Sequence, residues 1–200
     1  MRKKLFLGAL AVASAAVLGA CSSNDSMSGM ESHSSAPAPA PASGPRAGHN
    51  ADDVTFARQM IPHHSQALDM AKLVPTRSTN PKVVDLAGRI EKAQDPEIKL
   101  MQGWLSTWGA SATSTMPGMT AESMPGMMSA DDMTKLDAAK GTEFDRAWLD
   151  MMINHHRGAV GMAEYELSRG SNPDAKALAQ KIIDAQQAEI TEMQGLLQQS

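Results

Sequence analysis

Cysteine is almost absent from this 200-residue sequence, which holds Cys21 alone, and aromatic residues are few: one Tyr, three Phe and three Trp. A single thiol excludes an intrachain disulfide, a CxxC redox pair and a thiolate metal cluster, so a soft ligand in the folded part has to be a methionine thioether or an imidazole. Long apolar runs are also missing. The one from Leu5 to Leu18 is shorter than the roughly 20 residues a membrane-spanning helix requires. Positive charge is in deficit, with 18 Lys+Arg against 22 Asp+Glu, a balance that argues against nucleic acid and mildly favours cations. No stretch alternates convincingly with period two, so no strand is expected.

The apolar run has a different use. Arg2, Lys3 and Lys4 precede it and Leu18-Gly19-Ala20-Cys21 closes it, which is the layout of an export signal, residues 1–20, ending in a sequence that resembles a bacterial lipobox. Cys21 is then the lipid attachment point, and the expected location is the outer side of a bacterial membrane in the cell envelope or periplasm, anchored without crossing it. Loss of residues 1–20 leaves 15 Lys+Arg against 22 Asp+Glu. Residues 21–51, rich in Ser, Ala, Pro and Gly, cannot bury enough apolar surface to offset the entropy of ordering and read as a flexible tether.

Methionine, with 16 residues, is what the sequence has in excess, and much of it belongs to an internal duplication. Met60 to Ala71, MIPHHSQALDMA, returns 92 positions later as Met152 to Ala163, MINHHRGAVGMA. The same offset without a gap aligns Asn80-Pro81 with Asn172-Pro173, Gln94 with Gln186, Glu97 with Glu189 and Met101 with Met193. Whatever the His pairs do is therefore done twice.

Within each repeat, apolar residues recur at spacings of three and four, as in Phe56, Met60, His63, Ala67 and Met70, so each repeat is a helical hairpin. The first helix starts near Asp52 or Asp53 and runs to about Val74, with Pro62 expected to bend it. Asn80-Pro81 supplies an N-cap and an N1 proline for a second helix ending between Trp104 and Trp108. Residues 109–128 form a loop without periodicity. A short helix follows Ser129, a third long helix opens at Thr142 or Glu143 and ends at Gly170, and Asn172-Pro173 opens a fourth. Four such helices bury their stripes best as an all-α four-helix bundle over residues 52–200, built from two repeated hairpins.

Helix arithmetic places the chemistry. His63 and His64 lie about 15 residues before the hairpin turn and Gln94 and Glu97 about 15 after it, so at 1.5 Å per residue both sets stand about 22 Å from the turn and can face each other. Gln94, Glu97 and Met101 share a face; the second repeat reproduces the set with His155, His156, Gln186, Glu189 and Met193. Adjacent residues on a helix point about 100° apart, so each pair can direct one ring to the bundle centre and the other to a neighbouring helix. Met60 and Met152, each three residues before a histidine, stand where Glu stands in the Glu-x-x-His pattern of di-iron bundles. Thioether plus imidazole suits copper, Cu(I) above all. The candidate ligands are His63, His64, His155, His156, Glu97, Glu189, Met60, Met152, Met101 and Met193. Met116, Met119, Met124, Met127 and Met128, in a loop with no evident core to fill, are candidates for capture of soft metal. The competing readings are core filling for the methionines and a buried His–Glu network that fixes helix register.

The pattern M-x-x-HH-x-x-A-x-x-M-A, present at Met60, His63-His64, Ala67, Met70-Ala71 and again at Met152, His155-His156, Ala159, Met162-Ala163, resembles the signature of the domain-of-unknown-function 305 (DUF305) family of small exported bacterial proteins. GTEFDRAWLDMM from Gly141 is similar as well. The resemblance covers about Asp52 to Leu197 and implies a ferritin-like bundle and, for some members, extracytoplasmic copper binding. The function expected is metal binding by a membrane-anchored lipoprotein, most simply copper sequestration in copper resistance or homeostasis. The alternatives are a metal-dependent oxidoreductase on a ferritin-like bundle, for which no separate acid/base or nucleophile set is visible, and an envelope interaction module with structural His pairs. The expected partners are a metal ion and a lipid membrane, not nucleic acid; homo-oligomerisation is left open.

Overall fold

The computed structural model describes residues 48–111 and 124–199. The export signal, Cys21, nearly all of the tether, and Met116 and Met119 lie outside the described residues.

Five helices follow in order: α1 (Ala51–Arg77), α2 (Pro81–Thr107), the short α3 (Ala130–Ala138), α4 (Gly141–Arg169) and α5 (Pro173–Leu197). Their starts are set by local chemistry. The Asn50 side chain accepts from the Asp52 and Asp53 backbone N–H groups, and Asp53 accepts in return from the Asn50 N–H, closing a capping box. Asn80 and Asn172 cap α2 and α5, each followed by a proline at N1, where no N–H is needed. Ser129 caps α3. Helix α1 continues past Val74 through Pro75 to Arg77, further than periodicity suggests, because its last turn is held from outside: Arg77 bonds both the carbonyl and the carboxylate of Asp137 on α3.

The long helices form two hairpins, α1 on α2 and α4 on α5, joined face to face through α1 and α4. Helices α2 and α5 are tied by side chains, Lys181 to Glu97 and Arg89 to Glu192, and Lys82 of α2 bonds Gln199 just past the end of α5. The core is divided. One apolar cluster gathers Met70, Val74, Leu86, Ile90, Phe144, Trp148, Met152 and Met193 with Leu136 of α3; the other gathers Phe56, Met60, Met101, Leu105, Met162, Leu178 and Ile182. Burying one such side chain contributes about 1.5–3 kcal/mol. Trp148 also donates its indole N–H to the Met70 carbonyl at 3.0 Å, so its polar atom is satisfied inside the core.

The segment after the loop departs from its expected exposure. Met124 is buried, and Met127 and Met128 are half-buried, with Met128 packed on the first cluster. The loop expected to be free of the core returns to it at its end, because α3 packs on α1 and α4 and pulls the preceding residues against the bundle.

A second polar device closes one end of the bundle. Asp53 accepts from the backbone N–H groups of Ser171 and Asn172 and from the Ser171 hydroxyl, in addition to Asn50. Both its oxygens are thus occupied by donors. Glu166, fully buried beside it, has no donor for either oxygen. As an acid it can give a proton to Asp53; as an anion it would face a second carboxylate in a desolvated site. Burial, then Asp53, push the Glu166 carboxyl up to about 8, partly opposed by Lys176. The unfolded chain releases this proton near 4.5, so the folded state binds the extra proton between about 4.5 and 8 and loses that stabilisation as pH rises through the window. Between pH 7 and pH 9 the denaturant midpoint is expected to drop in wild type relative to Glu166→Gln, the contribution of the unfolded histidines, which titrate near 6.5, being common to both proteins; equal changes in the two proteins would assign the proton elsewhere.

Candidate metal centre

The four motif histidines lie in the polar layer between the two apolar clusters, all fully or almost fully buried. Vicinal residues on α1 and α4 send their rings in two directions. His63 and His155, related by the repeat, meet at the centre with ring centroids 3.7 Å apart and planes tilted by 38°. The outer rings turn to the partner helix of their own hairpin: His64 Nε2 lies 3.0 Å from Glu97 Oε2, and His156 Nε2 lies 2.8 Å from Glu189 Oε2. Both contacts span 33 positions, so one helix–turn–helix geometry is used twice.

An oxygen acceptor at Nε2 places the proton there and leaves Nδ1 as a lone pair. The Nδ1 atoms of His64 and His156 are buried with no partner. His63 is held in the same way by a different acceptor, the Pro125 carbonyl, 3.1 Å from its Nε2, and its Nδ1 is likewise unpartnered. His155 leaves Nε2 without a partner. Burial lowers the pKa of His63 to about 3, with His64 adding to the effect, and lowers His155 well below the ordinary histidine range, with His63 and His156 contributing. Burial also lowers His64, against the opposing pull of Glu97. These three rings are neutral at pH 7, and their free nitrogens are bare donors.

The glutamates are committed. Burial pushes the Glu97 carboxyl up, but hydrogen bonds from His64 and from Lys181, 3.1 Å away at Oε1, outweigh it, and its pKa falls below the ordinary value. Glu97 therefore carries charge on α2 and presents it to His64. The first-repeat counterpart of Lys181 is Arg89, which pairs with Asp85 and Glu192 instead of Glu189, so the two halves are not electrically equivalent. Gln94 and Gln186 add buried amide oxygens without partners to the same layer.

The methionines divide. Met60, Met101, Met152 and Met193 are all fully buried, the first two in one apolar cluster and the last two in the other, on either side of the histidine layer. Met124 comes into the core, Met127 and Met128 flank it, and Met116 and Met119 lie outside the described residues. Among the described residues, no three His, Cys, Asp or Glu side chains come together as a ready-made metal cluster. A metal held here would take imidazole nitrogens first.

Four participants were not singled out by the motif. The exposed Pro125 and half-buried Gly126 lie against α4, and Gly158 admits them: a Cβ on Gly158 would stand 2.0 Å from the Pro125 oxygen, and one on Gly126, at φ 79°, would stand 2.6 Å from the Asn154 oxygen. Gln66 holds the next residues by bonding both the N–H and the carbonyl of Met128 at 2.8 Å. The signal available was the single difference between repeats at this position, Gln66 against Gly158.

Comparison with known proteins gives the family and the fold. The pattern of DUF305, a domain of unknown function, matches residues 53–197. The chain belongs to the DUF305 family. A solved DUF305 protein of Streptomyces coelicolor is 35% identical, with a TM-score of 0.70 over 74% of this chain and 93% of that one. The protein CopM, solved in Cu(II)-bound, Cu(I)-bound and silver-bound forms, is similar too; in its Cu(II)-bound form it is 32% identical, with a TM-score of 0.63 over 74% of this chain and 96% of that one. The uncharacterized protein L153 of Acanthamoeba polyphaga mimivirus is 42% identical over 53 residues, a match spanning 26% of this chain and about a third, 35%, of that one.

Proposed function

We propose that this DUF305 protein binds and sequesters copper, as Cu(I) above all, outside the cytoplasm. The observation that carries the reading is the set of buried histidine nitrogens without partners. A network that only fixed helix register would satisfy both nitrogens of each ring, because an unmet buried polar atom costs about 1–3 kcal/mol. Here three rings are fastened at Nε2 by an oxygen and left open at Nδ1, the arrangement in which a ligating histidine gives its other N–H to a carboxylate or carbonyl. Glu97 and Glu189 then orient His64 and His156 and raise their basicity; they need not touch the ion. The rival reading, an oxidoreductase of di-iron type, calls for free carboxylates as hard ligands, whereas these two are engaged with histidines. Methionine in place of glutamate one turn before each central histidine turns the site towards soft ions. The existence of CopM in copper- and silver-bound forms supports the same choice.

Location is part of the proposal. Among the described residues no helix is long and apolar enough to cross a membrane, and the basic start, apolar run and LGAC ending support export and anchoring through lipid on Cys21. The Cys21→Ser protein is expected to leave the membrane fraction with its helical content intact; recovery of both proteins in the soluble fraction would sink the anchoring.

Competitive titration with silver as a stand-in for Cu(I) tests the site. Changing His63, His64, His155 and His156 together to Gln should abolish binding in the bundle. Met60→Leu with Met152→Leu should cost less than about 1.5 kcal/mol each in stability and weaken silver binding selectively. Wild-type affinity in the four-histidine variant, with Met116 and Met119 replaced by Ser in both proteins, would refute the site; wild-type affinity in the double Leu variant would make those methionines core filler and leave the histidines as the ligands.

A further inference from the structure

The turn at Met124–Met128 is fixed over the histidine layer by contacts that helix packing alone does not require. Pro125 gives its carbonyl to His63. Gly126 and Gly158 bring two backbones into contact, with no room for a side chain on either. Gln66, the repeat counterpart of Gly158, grips Met128 at both its N–H and its carbonyl. The turn thus spans from α1 to α4 across the line that relates the repeats, and Met124 at its start is itself buried. Beside it, Pro125 lines an open cleft of about 430 Å³ with Phe56, Gln59 and Met162; the central rings beneath are closed from solvent.

We propose that this turn is a stopper and a positioning element for the central histidine pair: the Pro125 carbonyl does for His63 what Glu97 does for His64, fixing the proton on Nε2 and leaving Nδ1 free, while the seated turn closes the pair from water. Part of this rests on the metal-binding reading, since an ion would enter and leave by lifting the turn; the tautomer of His63 does not depend on it. Gly158 and Gln66 are therefore positioning residues that touch no ion. The asymmetry of the repeats follows: glycine on α4 makes room, glutamine on α1 supplies the grip, and among the described residues one side of the bundle carries a stopper.

Gly158→Ala tests this on the full chain, because its Cβ would collide with backbone atoms of Pro125 and dislodge the turn while the helix gains propensity. Gly161→Ala, one turn along α4 with nothing near its added Cβ, is the control, and Gln66→Leu is a second way to free the turn should Gly158→Ala not fold. Two readouts are taken at pH 7: the His63 ring tautomer in the metal-free protein, by long-range nitrogen–proton NMR, and silver affinity and dissociation rate. In wild type and Gly161→Ala, His63 is expected as the Nε2–H tautomer. In Gly158→Ala and Gln66→Leu that preference should be lost while His64 and His156 keep theirs, silver should bind about 10–100-fold more weakly, and it should dissociate faster. An unchanged His63 tautomer in either folded turn variant overturns the proposal, as does wild-type silver affinity and exchange in one. If wild-type protein takes up no silver, the copper reading fails, and the tautomer alone decides the role of the turn.

Discussion

A layer of buried imidazole between two apolar clusters is the constraint on which the rest of the structure depends. Placing four histidines among methionines, leucines and a tryptophan is unfavourable unless their polar atoms are met, and the chain meets part of that demand by bringing a glutamate to each outer ring from the opposite helix of the hairpin. That need fixes the height of α2 against α1 and of α5 against α4. It also explains the divided core, since the apolar stripes must stop on either side of the layer and resume. The nitrogens left unmet are shared between the central pair, at His63 Nδ1 and His155 Nε2, and the outer rings, at His64 Nδ1 and His156 Nδ1.

Duplication supplies more than a second copy. A hairpin with one His pair buries one ring against its own glutamate and leaves the other exposed on the face that meets its twin. Pairing the hairpins through α1 and α4 turns two exposed rings into one tilted pair in contact. Symmetry is then broken where function has room to differ: among the described residues Lys181 pairs with Glu97 with no equivalent at Glu189, and the Pro125 carbonyl bonds the ring of His63 with no equivalent at His155. Asp53 and Glu166 break it again at the bundle end, since the positions 92 residues away, Asp145 and Val74, form no such carboxyl pair.

The hairpins, the Asn80 and Asn172 caps and the pairing of His64 with Glu97 and His156 with Glu189 could be read from the sequence because each follows from spacing along a helix and from a repeat without gaps, whereas the cap of α1 is Asn50 and not Asp52 or Asp53. The contact of His63 with His155 could not, because it depends on which faces of two hairpins meet, and one chain's periodicity does not determine that. The glutamates could be counted as ligands from their height, but whether a carboxylate meets a metal or an imidazole is a matter of a few ångströms that the residue count does not resolve. The loop misled for a related reason. A Gly/Pro/Met segment carries no periodicity whether it floats or folds back, and the contacts that draw Met124 and Met128 inward come from Gln66 and Gly158, about 60 and 30 positions away in the chain.

The central claim is that the open nitrogens of this layer are the metal donors and the glutamates are their supports. X-ray absorption on Cu(I)-loaded protein measures it most directly. The account predicts a first shell of imidazole nitrogen with thioether sulfur, retained in the Glu97→Gln, Glu189→Gln protein even as affinity falls. A shell of carboxylate oxygen without imidazole, lost on that double substitution, would contradict it.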